Sequence, residues 1–355
     1  MSHTSSTYVS VPTANQAFGQ LIERAKENDV TLEQTGSDSI KILVGENSID
    51  VATDGKGLAI KITATSESSL YFLREAAVHR LAELNGQIAE RLAWDNDEKT
   101  DAQTRAPSNF HVLNVLGRSE PLQGLIRLRL TGNSGFQNLA GPGIHVKLAL
   151  PVHSGRSPVW PIAANNGTTI WPTGEDELHV RYYTIKSCDT DKQELEIDIV
   201  RHEGGFIADW AETAQHGDEI GLMGPGGGER PTDTRRLLIA GDQTALPALC
   251  RMLDELAPDC TGCVIGAARS SEELKAYLPK TDLEVFALPP ERFQVDVVEQ
   301  AKQLGVKIEP EFAWFAGEYK NAQDMRKLFK SELGLGKGRQ FSITYWRAGQ
   351  IYGRG

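Results

Sequence analysis

From Arg236 onward the sequence repeats one alternation four times: a short, continuously apolar run and then a stretch with helical periodicity. LLIAGD precedes TALPALCRMLDELA, CVIGAA precedes SEELKAYL, LEVFAL precedes VDVVEQAKQLG, and FAWFAGE precedes a helix from about Asn321 to Leu333. Strands that are apolar on both faces, each followed by a helix, bury both sides and pair in parallel. The last 120 or so residues are therefore predicted to form a helix-covered parallel sheet, completed by a strand from Phe341 to Trp346.

Upstream the pattern changes. FHVLNVLG, LIRLRLTG, GIHVKLALP, LHVRYYTIKS and LEIDIVRH are short, partly alternating and bounded by Gly, Pro or Asn, as in an antiparallel barrel or sandwich. Between Pro151 and Pro172 runs a long stretch without periodicity, a loop of a length often tied to function. Nearer the amino terminus, Ala14, Phe18, Leu21, Ile22 and Ala25 mark one helix, with Thr13 as its cap. Leu70, Leu73, Ala77, Leu81, Leu84, Ile88 and Leu92 mark a longer one. Four strand-like segments (30–34, 40–44, 49–52 and 58–63) lie between them. The charged, aperiodic stretch 95–109 reads as a linker. The fold class is multidomain α+β and α/β: a small α+β domain over 1–94, an antiparallel β-barrel over 110–232, and a parallel-sheet α/β domain over 233–355.

A net charge of −11 argues against nucleic acid as the main partner, which needs clustered cations. It leaves room for a local basic patch that meets an anionic small molecule. Neither a basic-then-apolar leader nor an apolar run of about 18 residues is present, so we expect a cytoplasmic protein without a membrane span. The four cysteines make no disulfide framework, and Cys260-Thr-Gly-Cys263 is a lone pair, read as structural rather than metal-binding.

Four motifs carry chemistry. Arg181-Tyr182-Tyr183-Thr184 sits on a strand, where alternation puts Arg181 and Tyr183 on one face. A flavin needs such an aromatic face, a donor near N5 and a cation for its diphosphate; the alternative is an ordinary strand with an exposed arginine. His202-Glu203-Gly204-Gly205-Phe206-Ile207-Ala208 places glycines between a strand and a helix start, where free amides hold phosphate. A simple glycine turn is the rival. Gly217 to Gly227 is glycine-rich without the Gly-Lys-Ser/Thr of a P-loop, and is either a tight barrel turn or a ligand contact. Asp242-Gln243-Thr244-Ala245 lies at the carboxyl end of an apolar strand, where open α/β sheets bind nucleotides, although GxGxxG is absent.

In order, GIHVKLALP, RYYTIK, IVRHEGGFIADWA, GDEIGLMGPGG, IAGDQTALPA, FAWFAGE and YWRAG resemble the siderophore-interacting proteins, a ferric-siderophore reductase branch of the ferredoxin-reductase-like flavoenzymes. The resemblance covers everything after the linker. It implies an FAD barrel and an NAD(P)H-binding domain, with a ferric siderophore as electron acceptor. Arg181, Tyr183 and Thr184 would hold the flavin, the last two at the reacting centre. His145, His202, Gly205, Phe206 and Ala208 would lie along the rest of FAD. Asp242, Thr244, Ala245, Gly317, Glu318 and Trp346 would face the nicotinamide nucleotide. Gln243 stands where the branch usually has Glu, which removes a carboxylate near that pocket. The first 94 residues resemble a small domain sometimes fused to these reductases, and the resemblance gives it no activity.

For the acceptor, Lys147 is the first candidate contact, with Arg156 and Arg347 behind it; each is otherwise a solvated cation. His145, His153 and His202 are candidates to titrate near neutrality. After CVIGAA comes Arg269-Ser270-Ser271, placed at the sheet edge, where a cation with hydroxyls suits a 2′-phosphate and so NADPH over NADH. Alternatively, Ser270 or Ser271 simply caps the next helix. Two rival functions stand beside the reductase: a flavin reductase with a protein or small-molecule acceptor, and a siderophore-binding module without catalysis.

Overall fold

The protein is described here from a computed structural model covering residues 2–11, 13–27, 31–84, 92–95, 106–132, 135–141, 143–153, 155–164, 166–226, 234–336 and 338–349. Most of the stretch assigned as linker, and Ile88, lie outside the described residues.

The amino-terminal unit runs β1 (His3–Ser10), α1 (Ala14–Glu27), β2 (Thr31–Gly36), β3 (Ser39–Val44), β4 (Asn47–Thr53), β5 (Gly57–Ala64) and α2 (Glu67–Leu84). Its antiparallel sheet has the order β1-β5-β4-β3-β2, and both helices pack on it through Phe18, Leu73 and Leu81 against Leu58, Ile60 and Ile62. The sequence pattern did not reveal β1. Its inward face is Ser5, Thr7 and Val9, mostly small hydroxyls, so alternation of apolar residues gives almost no signal. Strand pairing with β5 from His3–Ala64 to Ser10–Gly57 supplies the order instead. A second difference concerns Leu92, expected on the helical stripe. It is buried in extended chain, where Thr7 Oγ1 donates to Ala93 O at 2.6 Å and Asp95 N to Ser6 O at 2.9 Å.

The central unit comprises β6 (Phe110–Ser119), β7 (Leu125–Thr131), α3 (Phe136–Leu139), β8 (His145–Pro151), β9 (Ile162–Ala163), β10 (Thr169–Ile170), β11 (Leu178–Asp189), β12 (Glu194–Val200), α4 (Phe206–Thr213) and β13 (Glu219–Gly226). Six of these strands close an antiparallel barrel in the order β11-β12-β7-β6-β13-β8. Val146, Leu148, Leu150, Ile185, Ile197 and Leu222 fill it, and α4 closes one end with Ile207 and Ala211. The glycine-rich run from Gly217 is barrel strand β13, not a turn alone.

The carboxyl-terminal unit runs β14 (Arg236–Gly241), α5 (Leu246–Asp254), β15 (Thr261–Ala267), α6 (Ser271–Tyr277), β16 (Glu284–Leu288), α7 (Pro290–Ile308), β17 (Phe312–Glu318), α8 (Tyr319–Lys327) and β18 (Gln340–Trp346). All strand pairs are parallel, in the order β16-β15-β14-β17-β18. Leu246 and Leu249 of α5 cover one face; Phe293 and Val297 of α7 cover the other. The strand before Arg269 is therefore one in from the edge, and β16 is the edge. Cys260 and Cys263 are buried, and burial pushes the Cys263 thiol up to about 12, as expected of core thiols.

Barrel and sheet meet through one buried carboxylate. Asp198 on β12 accepts Arg127 Nε and Nη2 from β7, each at 2.7 Å, and the Tyr277 hydroxyl at the end of α6 at 2.6 Å. Its side chain is fully buried and that of Arg127 is 17% exposed, so truncation leaves this partly buried cation only the longer contact with Glu196 at 3.6 Å. Asp198→Ala is expected to cost about 3–5 kcal/mol, read by denaturant unfolding; a loss below about 1 kcal/mol would show that the pair is solvated.

Candidate active site

Strand β11 presents its residues to two different surroundings. Tyr183 pairs with Val146 and packs against the barrel core; Arg181 is two residues away on the same side. Burial pushes the Tyr183 hydroxyl well above its ordinary value, so it stays protonated. Beyond Arg181 on this side, the His179 ring lies 4.7 Å from the Phe206 ring, and Phe206 opens α4. Gly205 is the N-cap of that helix and no side chain caps it. A methyl on Gly205 would sit 2.3 Å from the exposed His202 ring, which would have to turn aside to admit it. Uncapped amides, a nearby guanidinium and a buried tyrosine ring make a cradle of the kind a flavin diphosphate and isoalloxazine need. Ala208 lies one turn inside α4 and is buried in the barrel core, so only its backbone is available. The residues present fit FAD.

Across the strand the arrangement is different. Register sets three rows over β13, β8 and β11: Gly226, His145 and Thr184; Met223, Lys147 and Tyr182; Gly221, Ala149 and Val180. The third row is roofed by Trp160 and Trp171 of the long 151–172 loop. The first is closed by Tyr345 of β18, whose ring meets the His145 ring edge-on at 5.5 Å. Thr184 is buried at 4% exposure. The Tyr345 hydroxyl is buried and lacks a hydrogen bond of good geometry; burial drives its pKa up, and the neighbouring Thr184 hydroxyl offsets only part of that. Burial also lowers His145 to about 4, so it is uncharged near neutrality, contrary to the expectation that it titrates there. In the middle row Met223 is buried and Lys147 half-buried, while Tyr182 is exposed. Tyr182 is 59% exposed, and the Lys147 ammonium lies 5.2 Å from its ring centroid.

At the carboxyl ends of β14 and β17, Asp242 is a junction. It accepts from Thr244 N at 2.9 Å, Thr244 Oγ1 at 2.5 Å, Gln294 Nε2 at 3.3 Å and Trp346 Nε1 at 2.7 Å. Burial raises its pKa and these donors pull it back. A side chain on Gly317 would come within 2.7 Å of its carboxylate. Asp242 and Trp346 thus satisfy one another and fix these strand ends, with Ala245 and Gly317 buried behind a half-buried Thr244. Glu318 caps α8, accepting from Lys320 N at 2.5 Å, and also accepts from Ala348 N at 3.3 Å. Gln243 donates to Gln123 O at 2.9 Å. This amide joins sheet to barrel where the branch's carboxylate would meet a carbonyl.

Other candidates are committed elsewhere. Arg156 pairs with Glu175 at 2.9 Å and Asp176 at 3.0 Å, so its charge is already met. The Arg347 guanidinium stacks on Tyr319, 3.5 Å from the ring centroid. Ser270 is the N-cap of α6, accepting from Glu273 N at 3.2 Å, and Arg269 N donates to the Glu273 carboxylate at 2.8 Å. The Arg269 side chain lines a crevice with Leu122, Gln123, Gln243 and Pro290 between barrel and sheet. Sequence reasoning missed Tyr345, which no motif marks, and Tyr182, which lies inside the RYYTIK stretch on the face opposite Tyr183.

No helix among the described residues is long and apolar enough to cross a membrane. Residues 115–229 match the family model described as "Siderophore-interacting FAD-binding domain", and residues 234–349 the one described as "Siderophore-interacting protein". The chain is 29% identical over 249 residues to the ferric vibriobactin reductase of Vibrio cholerae, covering 67% of this chain and 90% of that protein. It is 27% identical over 262 residues to the NADPH-dependent ferric-chelate reductase of Escherichia coli, covering 72% of this chain and 99% of that one. Among solved structures, the siderophore-interacting protein SipS of Aeromonas hydrophila aligns with a TM-score of 0.56 at 25% identity, over 69% of this chain and 94% of its own. Flavin cradle, nucleotide-facing strand ends and both matched models, in one order along one chain, agree: this protein belongs to the siderophore-interacting protein family.

Proposed function

We propose that the chain is an FAD-dependent NAD(P)H:ferric-siderophore oxidoreductase. The observation that carries this reading is β11 itself, with Arg181 and Tyr183 on the face whose His179 meets Phe206 at the uncapped start of α4, and Tyr182 exposed on the other face under Lys147 of β8. When bound, FAD accepts a hydride from NAD(P)H and releases electrons singly, which suits reduction of Fe(III).

The chain's own residues supply binding and exclusion. Arg181 and the α4 amides neutralise the diphosphate, with His202 and Gly205 shaping the turn around it. Tyr183 offers a protonated aromatic face, and Thr184 a hydroxyl donor beside Tyr345 and the uncharged His145. Half-buried Thr244 borders the place of the nicotinamide nucleotide at these strand ends, with Ala245 and Gly317 packed behind it and Asp242, Glu318 and Trp346 holding the strand ends in place. Lys147 is the cation assigned to the acceptor, since a ferric siderophore is often anionic. Arg156 is already ion-paired with Glu175 and Asp176, while Arg347 stacks on Tyr319 as Lys147 does on Tyr182. The division into an accessory unit (1–94), an FAD barrel (110–232) and a nucleotide unit (233–355) belongs to the same reading, as does a cytoplasmic place beside the NAD(P)H supply.

The test is anaerobic: purified protein should be yellow, bleach with NADPH, and recover its colour on adding a ferric siderophore while an Fe(II) chelator reports the metal. A colourless protein, or one NADPH cannot bleach, would leave only a binding module; bleaching without Fe(II) release would favour the rival flavin reductase. Arg181→Ala should weaken FAD binding by roughly tenfold or more, since a charge-assisted contact is worth about 1.5–3 kcal/mol; flavin retention on dialysis measures it. Arg269→Glu should raise KM for NADPH well above any change for NADH, and equal changes would remove Arg269 from the 2′-phosphate role.

A further inference from the structure

The amino-terminal unit has no counterpart in the matched models, which begin at residue 115, and none of the groups placed at the flavin or the nucleotide comes from it. What it touches on the barrel is the 151–172 loop. Among the described residues, the regular structure of that loop is the β9–β10 hairpin, two residue pairs long (Ala163 with Thr169, Ile162 with Ile170), and no third strand joins it. A lone two-stranded hairpin is marginal in water. On its barrel side the loop is held by Trp160 and Trp171, which pack on Ala149, Leu178 and Val180, with the Trp160 ring 5.6 Å from that of Phe110. Both tryptophans are only half-buried, and Val159 and Ile170 stay 46% and 50% exposed. Burial on that side alone is modest.

The far end of the hairpin is held by the amino-terminal unit. From α2, the Tyr71 hydroxyl lies 3.1 Å from Thr169 Oγ1, and Glu75 Oε1 accepts from Thr169 N at 3.1 Å. From the 92–95 stretch, Trp94 Nε1 donates to Asn166 O at 2.9 Å. Gly167, in the turn, is buried so closely that a methyl there would come within 3.1 Å of the Arg74 guanidinium and 3.2 Å of the Trp94 indole. Tyr71 and Trp94 are 6% and 4% exposed, so these ties are made away from water, where a hydrogen bond is stronger and its loss more costly. The hairpin therefore has, in place of a third strand, side chains from two separate segments of another unit.

We infer that the amino-terminal unit is a brace: its docking fixes the 151–172 loop against the barrel, and the loop loses its order when that docking is broken. This does not rest on the reductase reading. It gives the unit a task that needs no active site of its own.

The test uses full-length Tyr71→Phe/Glu75→Ala protein, which loses both α2 hydrogen bonds and keeps the Tyr71 ring. Amide hydrogen exchange is followed in peptides covering 155–172, with β4 and β5 as the internal reference. Exchange should quicken about tenfold or more, the weight of a lost hydrogen bond to a charged group. The change should reach β9 and Trp160 as well as Thr169, while β4 and β5 keep their rates. Glu75→Gln, which retains an acceptor for Thr169 N, should exchange as the wild type does. A loop that stays protected, or a change confined to Thr169, would overturn the inference and show that Trp160 and Trp171 hold the loop unaided. Should the substitutions loosen β4 and β5 too, the loop peptide still decides: fast exchange upholds the brace, and retained protection refutes it.

Discussion

The relation between the barrel and the parallel sheet depends on the Asp198 carboxylate. It holds Arg127 through both guanidinium arms within the barrel and takes the Tyr277 hydroxyl from the sheet unit with a remaining lone pair. A buried ion pair is not inherently stabilising, because desolvation cancels much of the attraction. What it imposes is position, since a buried carboxylate tolerates few arrangements of its donors. The Arg251 to Gly141 O contact at 3.1 Å and the Gln243 to Gln123 O contact at 2.9 Å add two further ties along the same seam. In this reading, hydride transfer between two ligands held by different units needs such fixed registration, because a misplacement of about 1 Å can cost a hundredfold in rate.

Asp242 has the corresponding task inside the sheet. Four donors from three segments converge on it and fix the strand ends. The acidic and aromatic side chains of that region are thus occupied with each other. Their importance to the site is indirect, through the shape of the main chain they hold.

The parallel sheet and the barrel strands were legible because their apolar runs and turn residues follow the periods that packing demands. Strand β1 was not, because its buried face is made of Ser5 and Thr7, and only pairing with β5 reveals it. The motif pairing Arg181 with Tyr183 could be read from strand alternation alone. That Arg156 is neutralised by Glu175 and Asp176, or that Tyr345 closes over His145, depends on loops and on a strand 200 residues away, which no local pattern encodes.

Closure of the barrel has a further consequence. A sheet whose first and last strands pair with each other offers no free edge, so an added unit cannot attach by extending it. The amino-terminal unit accordingly keeps its own separate sheet and leans on the barrel with a helix and a few side chains. An attachment of that kind interrupts no hydrogen-bond ladder. A unit attached in this way can be added to or removed from a closed barrel without rebuilding its strand pairing.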